Sequence, residues 1–409
     1  MKEYVYTKVK SLEVEYMQKG SRQALLADDA VRRWYDHMAK RSVVTTDVYL
    51  RRLGHFCELN RTTPGKLVEM RSKDLGDLLL SNVAELEAKH YAGSYIESTL
   101  KAVRSWLAFN GVKVKTKIKV KGAQATPSLK NERVPSRDEL RRIFLSDNRK
   151  SRAAVALVAQ AGLRLETLGN YKGDDGLRIG DLPEVRIDHG VVSFARTPTL
   201  VIVRDELSKA RHQYFTFLAE EGCEYLKDYL EERLRGGEVL TEDSAIITPK
   251  VANKEFIRTI NIGDMIRVAV RSAGFPWRPY VLRVYFDTQL TVAENEGLMP
   301  REYHRFFMGH KGEEAVKYSA KKHKLPNDAV EDMRSALAKA QKYLQTRKSE
   351  EVMEQEVTVN MKKQLLLVSG YTKEEIEGFN LEQMSAEEVQ TKVREKLLAI
   401  LLAAKTVTK

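Results

Sequence analysis

The chain has 409 residues, 43% of them hydrophobic and 31% charged. That balance excludes a disordered chain, and no apolar run approaches the roughly 20 residues a bilayer-spanning helix needs. Lys and Arg total 69 against 57 Asp and Glu, a formal charge of +12, which favours a polyanionic partner and argues against an enzyme of small cationic metabolites. The two cysteines, Cys57 and Cys223, lie in no CxxC pattern and near no histidine pair. Neither a disulfide framework nor a zinc site is therefore expected, and Cys57 reads as a core residue. The first residues alternate charged and apolar side chains and lack the h-region of a signal peptide, so a cytoplasmic protein is expected.

In chain order, residues 1–111 read as a compact all-α domain of four or five helices. Tyr49, Leu53, Phe56 and Cys57 fall on one helical face, Thr63-Pro64 opens another helix, and Ile96, Leu100, Val103 and Leu107 mark a third that Asn110-Gly111 stops. Residues 112–135 read as a lysine-rich connector. Lys113, Lys115, Lys117, Lys119 and Lys121 alternate with Val, Thr and Ile, so an extended chain places all five ammonium groups on one side. Two readings stand: a charged edge strand that resists aggregation, or a basic connector along a phosphate backbone.

Residues 136–347 read as a mostly α (α+β) domain with a small antiparallel sheet. Ser136 and Glu139 form a capping box, "RAAVALVAQAGL" a buried helix ended by Gly162, and "GVVSFA", "TLVIVRDEL" and "HQYFTFL" strands, before helices return at "GCEYLKDYLEERL". Residues 348–409 read as a helical C-terminal extension with capping boxes at Thr372/Glu375 and Ser385/Glu388 and a helix stop at Gly370. Its last helix carries Val393, Leu397, Ile400, Leu401 and Ala404 on one face. That face must bury against its own domain or against a neighbouring copy.

Metal-free phosphodiester transfer needs a nucleophile, cations for the phosphorane oxygens, a proton donor for the leaving 5′ oxygen and exclusion of water. Arginine suits the second role because its planar fork bonds two phosphate oxygens and stays charged. Four segments occur in order: "AGLRLETLGNY", "ELSKARHQYFTFL", "RPYVLRVYFDTQL" and "MGHKGEEAVKYS". Together they resemble the four active-site boxes of the tyrosine recombinase (phage integrase) family, most closely integrases of archaeal viruses and plasmids. The resemblance covers 136–347, and the N-terminal region is similar to the family's core-binding domain.

By that resemblance Arg164 and Arg283 are the catalytic arginines, Lys209 the hairpin lysine that protonates the leaving 5′-hydroxyl, His310 the second histidine and Tyr318 the nucleophile. Arg211 stands close to Lys209, and His304, Tyr285 and Tyr303 are neighbours of the same residue types. Two departures stand out. Tyr280 occupies the place where the family has histidine, and Glu166 lies two residues after Arg164 rather than three. Tyrosine can donate a hydrogen bond but is a poor base near neutral pH.

The resemblance implies a site-specific recombinase that cuts and rejoins double-stranded DNA through a 3′-phosphotyrosine, without metal, ATP or other cofactor. It would integrate or excise a mobile element, its two domains clamping the duplex and four protomers acting on paired sites. Two alternatives remain: a type IB topoisomerase-like nicking-closing enzyme, and a non-catalytic DNA-binding protein on a recombinase scaffold. A metal-dependent nuclease is disfavoured because no carboxylate cluster has ligand-like spacing.

Overall fold

The computed structural model describes residues 19–124, 132–250, 254–310, 326–347, 361–372, 375–376, 378–381 and 384–407. The chain divides into two compact units, Met1–Lys130 and Asn131–Lys409.

In the first unit the described residues form helices α1 (Lys19–Ala27), α2 (Asp29–Ala39), α3 (Val43–Leu59), α4 (Pro64–Glu69), α5 (Ser72–Ala88) and α6 (Gly93–Phe109). The sequence suggested four or five. The difference comes from the break at Asp28, whose carboxylate accepts from the amides of Ala30 and Val31 and so restarts the helix. Thr63 caps α4, with Pro64 at its first position, and Gly111, at φ +78, follows the end of α6. Leu53, Phe56, Leu100 and Leu107 are buried, as their spacing requires. Trp34 and Trp106 meet edge-on at 5.7 Å. Both buried indoles keep a partner: Trp34 Nε1 donates to Ser105 Oγ and Trp106 Nε1 to the Pro64 carbonyl. Cys57 belongs to this core, where burial pushes its thiol up to about 12.

The lysine-rich segment is seated on this unit along residues 112–124. Val112, Val114, Ile118 and Val120 pack against the helical core, while Lys113, Lys115, Lys117, Lys119 and Lys121 are all exposed. Two glycines make room for it. A methyl on Gly76 would lie 2.3 Å from Thr116 Oγ1, and one on Gly93 2.3 Å from the Lys121 carbonyl. The Lys121 amide donates to Glu87 on α5 at 2.8 Å. The boundary between the two units falls after Lys130, inside the stretch the sequence suggested as a connector.

The second unit comprises α7 (Arg137–Leu145), α8 (Arg149–Ala159), α9 (Leu165–Leu168), β1 (Val185–Asp188), β2 (Val191–Phe194), β3 (Thr199–Val203), β4 (Tyr214–Leu218), α10 (Glu220–Arg235), α11 (Thr259–Ser272), α12 (Tyr280–Asn295), α13 (Arg301–Phe307) and α14 (Asn327–Leu344). It is mostly α with small antiparallel sheets, as the sequence suggested. The described strands pair as two separate hairpins, β1–β2 and β3–β4. α8 is the central helix: every residue from Ala153 to Ala159 is buried, and it packs against α7, α10, α11 and α12. A continuous apolar run suits a helix enclosed on all sides. The Ser136/Glu139 capping box opens α7.

The C-terminal part has a small core of its own, in which Leu366, Ile376, Leu381 and Val389 are buried. Both suggested capping boxes form, Thr372 with Glu375 and Ser385 with Glu388. Gly370, at φ +99, follows the helical stretch 361–368. On the last helix, α15 (Ala386–Val407), Val393 packs on this core and Leu397 is 46% exposed. The side chains of Ile400, Leu401 and Ala404 lie outside the described residues.

Candidate active site

The site begins where the central helix stops. Gly162 adopts φ +65, and the Phe286 ring of α12 lies so close that an added methyl would sit 2.4 Å from it. The turn is closed by Leu163 N donating to Leu157 O, and Thr216 of β4 donates to the Ala161 carbonyl at 3.0 Å. This turn delivers Arg164 to the start of α9 in extended backbone geometry. Its Nη1 is buried and, among the described residues, has no hydrogen-bond partner.

Arg283 lies in the first turn of α12 and is 7% exposed. Its Nη2 donates to the Met308 carbonyl at 2.5 Å, while its Nη1 is buried without a partner. Burial first, then the nearby charge of Arg164, pushes this guanidinium down to about 10. It stays charged at neutral pH. Two like charges held close together in a desolvated site repel, an arrangement that becomes favourable when a shared anion lies between them.

Tyr280, one helical turn before Arg283, is 67% exposed and is electrostatically coupled to it. His310 follows the end of α13. Gly309 turns the chain with φ +56, and the Met308 carbonyl just before it is the one Arg283 holds. The His310 imidazole is lowered from its ordinary value, first by desolvation, then by Arg283 and Arg164. The structure thus places Arg164, Arg283 and His310 within electrostatic reach of one another, with Tyr280 coupled to Arg283.

His304, the neighbour of the same type, plays another part. It is buried and bridges two helices, with Nε2 on Asp287 at 2.9 Å and Nδ1 on Glu294. These contacts fix α13, and hence the Met308–His310 turn, against α12. Tyr285 is likewise structural: it is buried, and its hydroxyl reaches the carbonyls of Tyr343 and Leu344.

Lys209 is exposed in the ten-residue loop between β3 and β4, and among the described residues no interaction joins it to either arginine. The base of that loop is anchored by Arg204, which ion-pairs with Asp175 at 2.9 Å and Asp181 at 3.0 Å. Arg211 folds back within the loop onto the Glu206 carbonyl. Glu166 sits in the first turn of α9. Tyr318 lies outside the described residues.

The sequence gave no hint of Tyr214. This first residue of β4 is 2% exposed; Arg164 approaches its hydroxyl as a hydrogen-bond donor, and the phenolic O–H has no acceptor among the described residues. Its ring fills the notch at Gly309, where an added methyl would lie 2.6 Å from Cζ, and meets Phe306 edge-on at 6.5 Å. Burial raises its pKa, and the charges of Arg283 and Arg164, with a hydrogen bond from Arg164, oppose the rise. An aromatic residue opening a β-branched, aromatic strand reads as sheet packing, so only the folded arrangement singles it out.

No family model matches the chain, and no curated protein matches it. Solved structures show distant likenesses. The XerA recombinase is 18% identical over 81% of this chain and 97% of its own, with a TM-score of 0.33. A lambda integrase dimer bound to a COC′ core site is 17% identical over 79% of this chain and 96% of its own, with a TM-score of 0.43. The Tn1549 transposon integrase in complex with transposon right-end DNA is 15% identical over 74% and 97%, with a TM-score of 0.44.

Proposed function

We propose that the chain is a site-specific DNA strand-transferase of the tyrosine recombinase type, acting on double-stranded DNA. The observation that carries this reading is the convergence of Arg164, Arg283 and His310, from three separate elements, around two buried guanidinium nitrogens that lack acceptors. Such a pair of forks fits the non-bridging oxygens of one backbone phosphate.

In this mechanism the Tyr318 oxygen attacks the scissile phosphorus. The P–O5′ bond breaks, leaving a 3′-phosphotyrosine and a 5′ oxygen that takes a proton from Lys209. Arg164 and Arg283 hold the charge of the pentavalent state, and Tyr280 donates a hydrogen bond where the family has histidine. His310, kept neutral near pH 7 by its surroundings, accepts the phenolic proton. Reversal with a new 5′-hydroxyl rejoins the strand, because the phosphotyrosine conserves the energy of the broken bond. Four protomers on paired sites, exchanging strands of a mobile element, complete the proposal.

The test is a nicked suicide substrate that traps the covalent adduct. The Tyr318→Phe variant is expected to form no adduct while binding DNA near normally, and peptide mass mapping of the wild-type adduct should find Tyr318. An adduct persisting in Tyr318→Phe removes that residue from the role. No adduct from the wild-type chain favours a non-catalytic DNA-binding protein. An adduct with relaxation but no exchange between two sites favours the nicking-closing alternative.

A further inference from the structure

Tyr214 completes the same pocket. We infer that its hydroxyl is a third donor to the phosphate held by Arg164 and Arg283, a contact that rests on the phosphate reading of that arginine pair. Three buried polar groups meet here: Arg164 Nη1 and Arg283 Nη1 have no acceptor among the described residues, and Tyr214 Oη, approached by Arg164 as a donor, keeps an O–H with none. A buried donor without a partner is destabilising. Folded proteins leave few such groups, and several in one place mark a binding site.

The placement is fixed from two sides. The Met308–Gly309 turn is held by Arg283 at the Met308 carbonyl and by the Tyr214 ring at Gly309, where only a glycine leaves room for the phenol. Phe306 and His212 flank the same ring, at 6.5 Å and 6.2 Å between centroids. The ring therefore has little freedom, and its hydroxyl is held beside both guanidiniums. A hydroxyl there adds a donor that, unlike a third cation, does not repel the two arginines. It offers a buried, neutral O–H, whereas Tyr280 is exposed.

The experiment uses the full chain and its Tyr214→Phe variant, which keeps the ring and removes only the oxygen. Inorganic phosphate is titrated into each at constant ionic strength, followed by calorimetry. Melting temperatures are recorded with and without phosphate, and adduct formation on the suicide substrate is timed in a single turnover. Tyr214→Phe is expected to bind phosphate about tenfold more weakly and to form adduct at least about tenfold more slowly. The gain in its melting temperature on adding phosphate should shrink.

Equal phosphate affinity in the two proteins overturns the inference. A wild-type chain that binds no phosphate overturns it together with the arginine-pair reading. If Tyr214→Phe matches the wild type while Tyr318→Phe abolishes the adduct, the inference fails and the strand-transfer reading stands.

Discussion

Arg283 places one nitrogen on the Met308 carbonyl and leaves another without a partner, so it both builds the pocket and faces its centre. Arg283→Lys keeps the charge but loses the fork. Single-turnover adduct formation is expected to fall by about a hundredfold or more, while DNA binding changes little. His310 gives a prediction in pH. Its imidazole lies below the ordinary 6.5, so as pH falls through 6.5 the unfolded chain takes up a proton that the folded site refuses. Stability contributed there is present above 6.5 and declines as pH drops, levelling off below the folded value. An NMR titration should place the His310 midpoint below 6.5, and Arg164→Ala should move it upward; a midpoint above 6.5 would contradict the geometry. Arg164, Arg283 and His310 were singled out through the family resemblance of the boxes that hold them, with Gly162, Pro279 and Gly309 beside them as the local signals. Tyr214 could not be, since its significance lies in which polar groups surround it, and that exists only after folding.

Helix ends do much of the positioning. Gly162 needs a left-handed backbone and has Phe286 against it. Gly162→Ala should therefore destabilise the second unit by about 2–4 kcal/mol, from backbone strain and overpacking together, measured by denaturant unfolding. A second joint lies at Glu221 of α10. This buried carboxylate accepts from Gln160 Nε2, the Tyr225 hydroxyl, and the amide and hydroxyl of Thr346. It fixes the chain just beyond α14, where the C-terminal extension departs. Glu221→Ala would orphan those donors and cost about 3 kcal/mol or more, and amide exchange at Thr346 should accelerate sharply. The caps, glycine stops and most strands follow from local chemistry and were readable as such. β1 was not, because "VRID" is too short to show a period, and the β3–β4 connection is wider than a turn because Arg204 diverts it onto Asp175 and Asp181.

Across the whole molecule, the proposal of DNA as partner predicts a steep salt dependence. Each lysine that neutralises a phosphate adds about 0.9 to the slope of log affinity against log salt. Converting Lys113, Lys115, Lys117, Lys119 and Lys121 to Gln should flatten that slope in proportion to the number engaged, and an unchanged slope would mean they face water only. Truncation after Lys348 is expected to impair assembly on paired sites more than binding to one site, as read by native gel mobility. Equal effects would favour packing of the extension within its own chain.

The way the basic segment is seated has a consequence of its own. In an extended chain every second side chain recurs at about 6.6–6.8 Å, near twice the 3.4 Å axial rise per phosphate of one DNA strand. On the proposed DNA-binding reading, the lysines on each side of Thr116 are held in place beforehand, so a phosphate backbone would not have to order a loose chain on arrival. The chain bends at Thr116, whose side chain lies in the notch beside Gly76 and anchors the uncharged spine there. Unseating it through Gly76→Ala should weaken DNA binding without changing any charge.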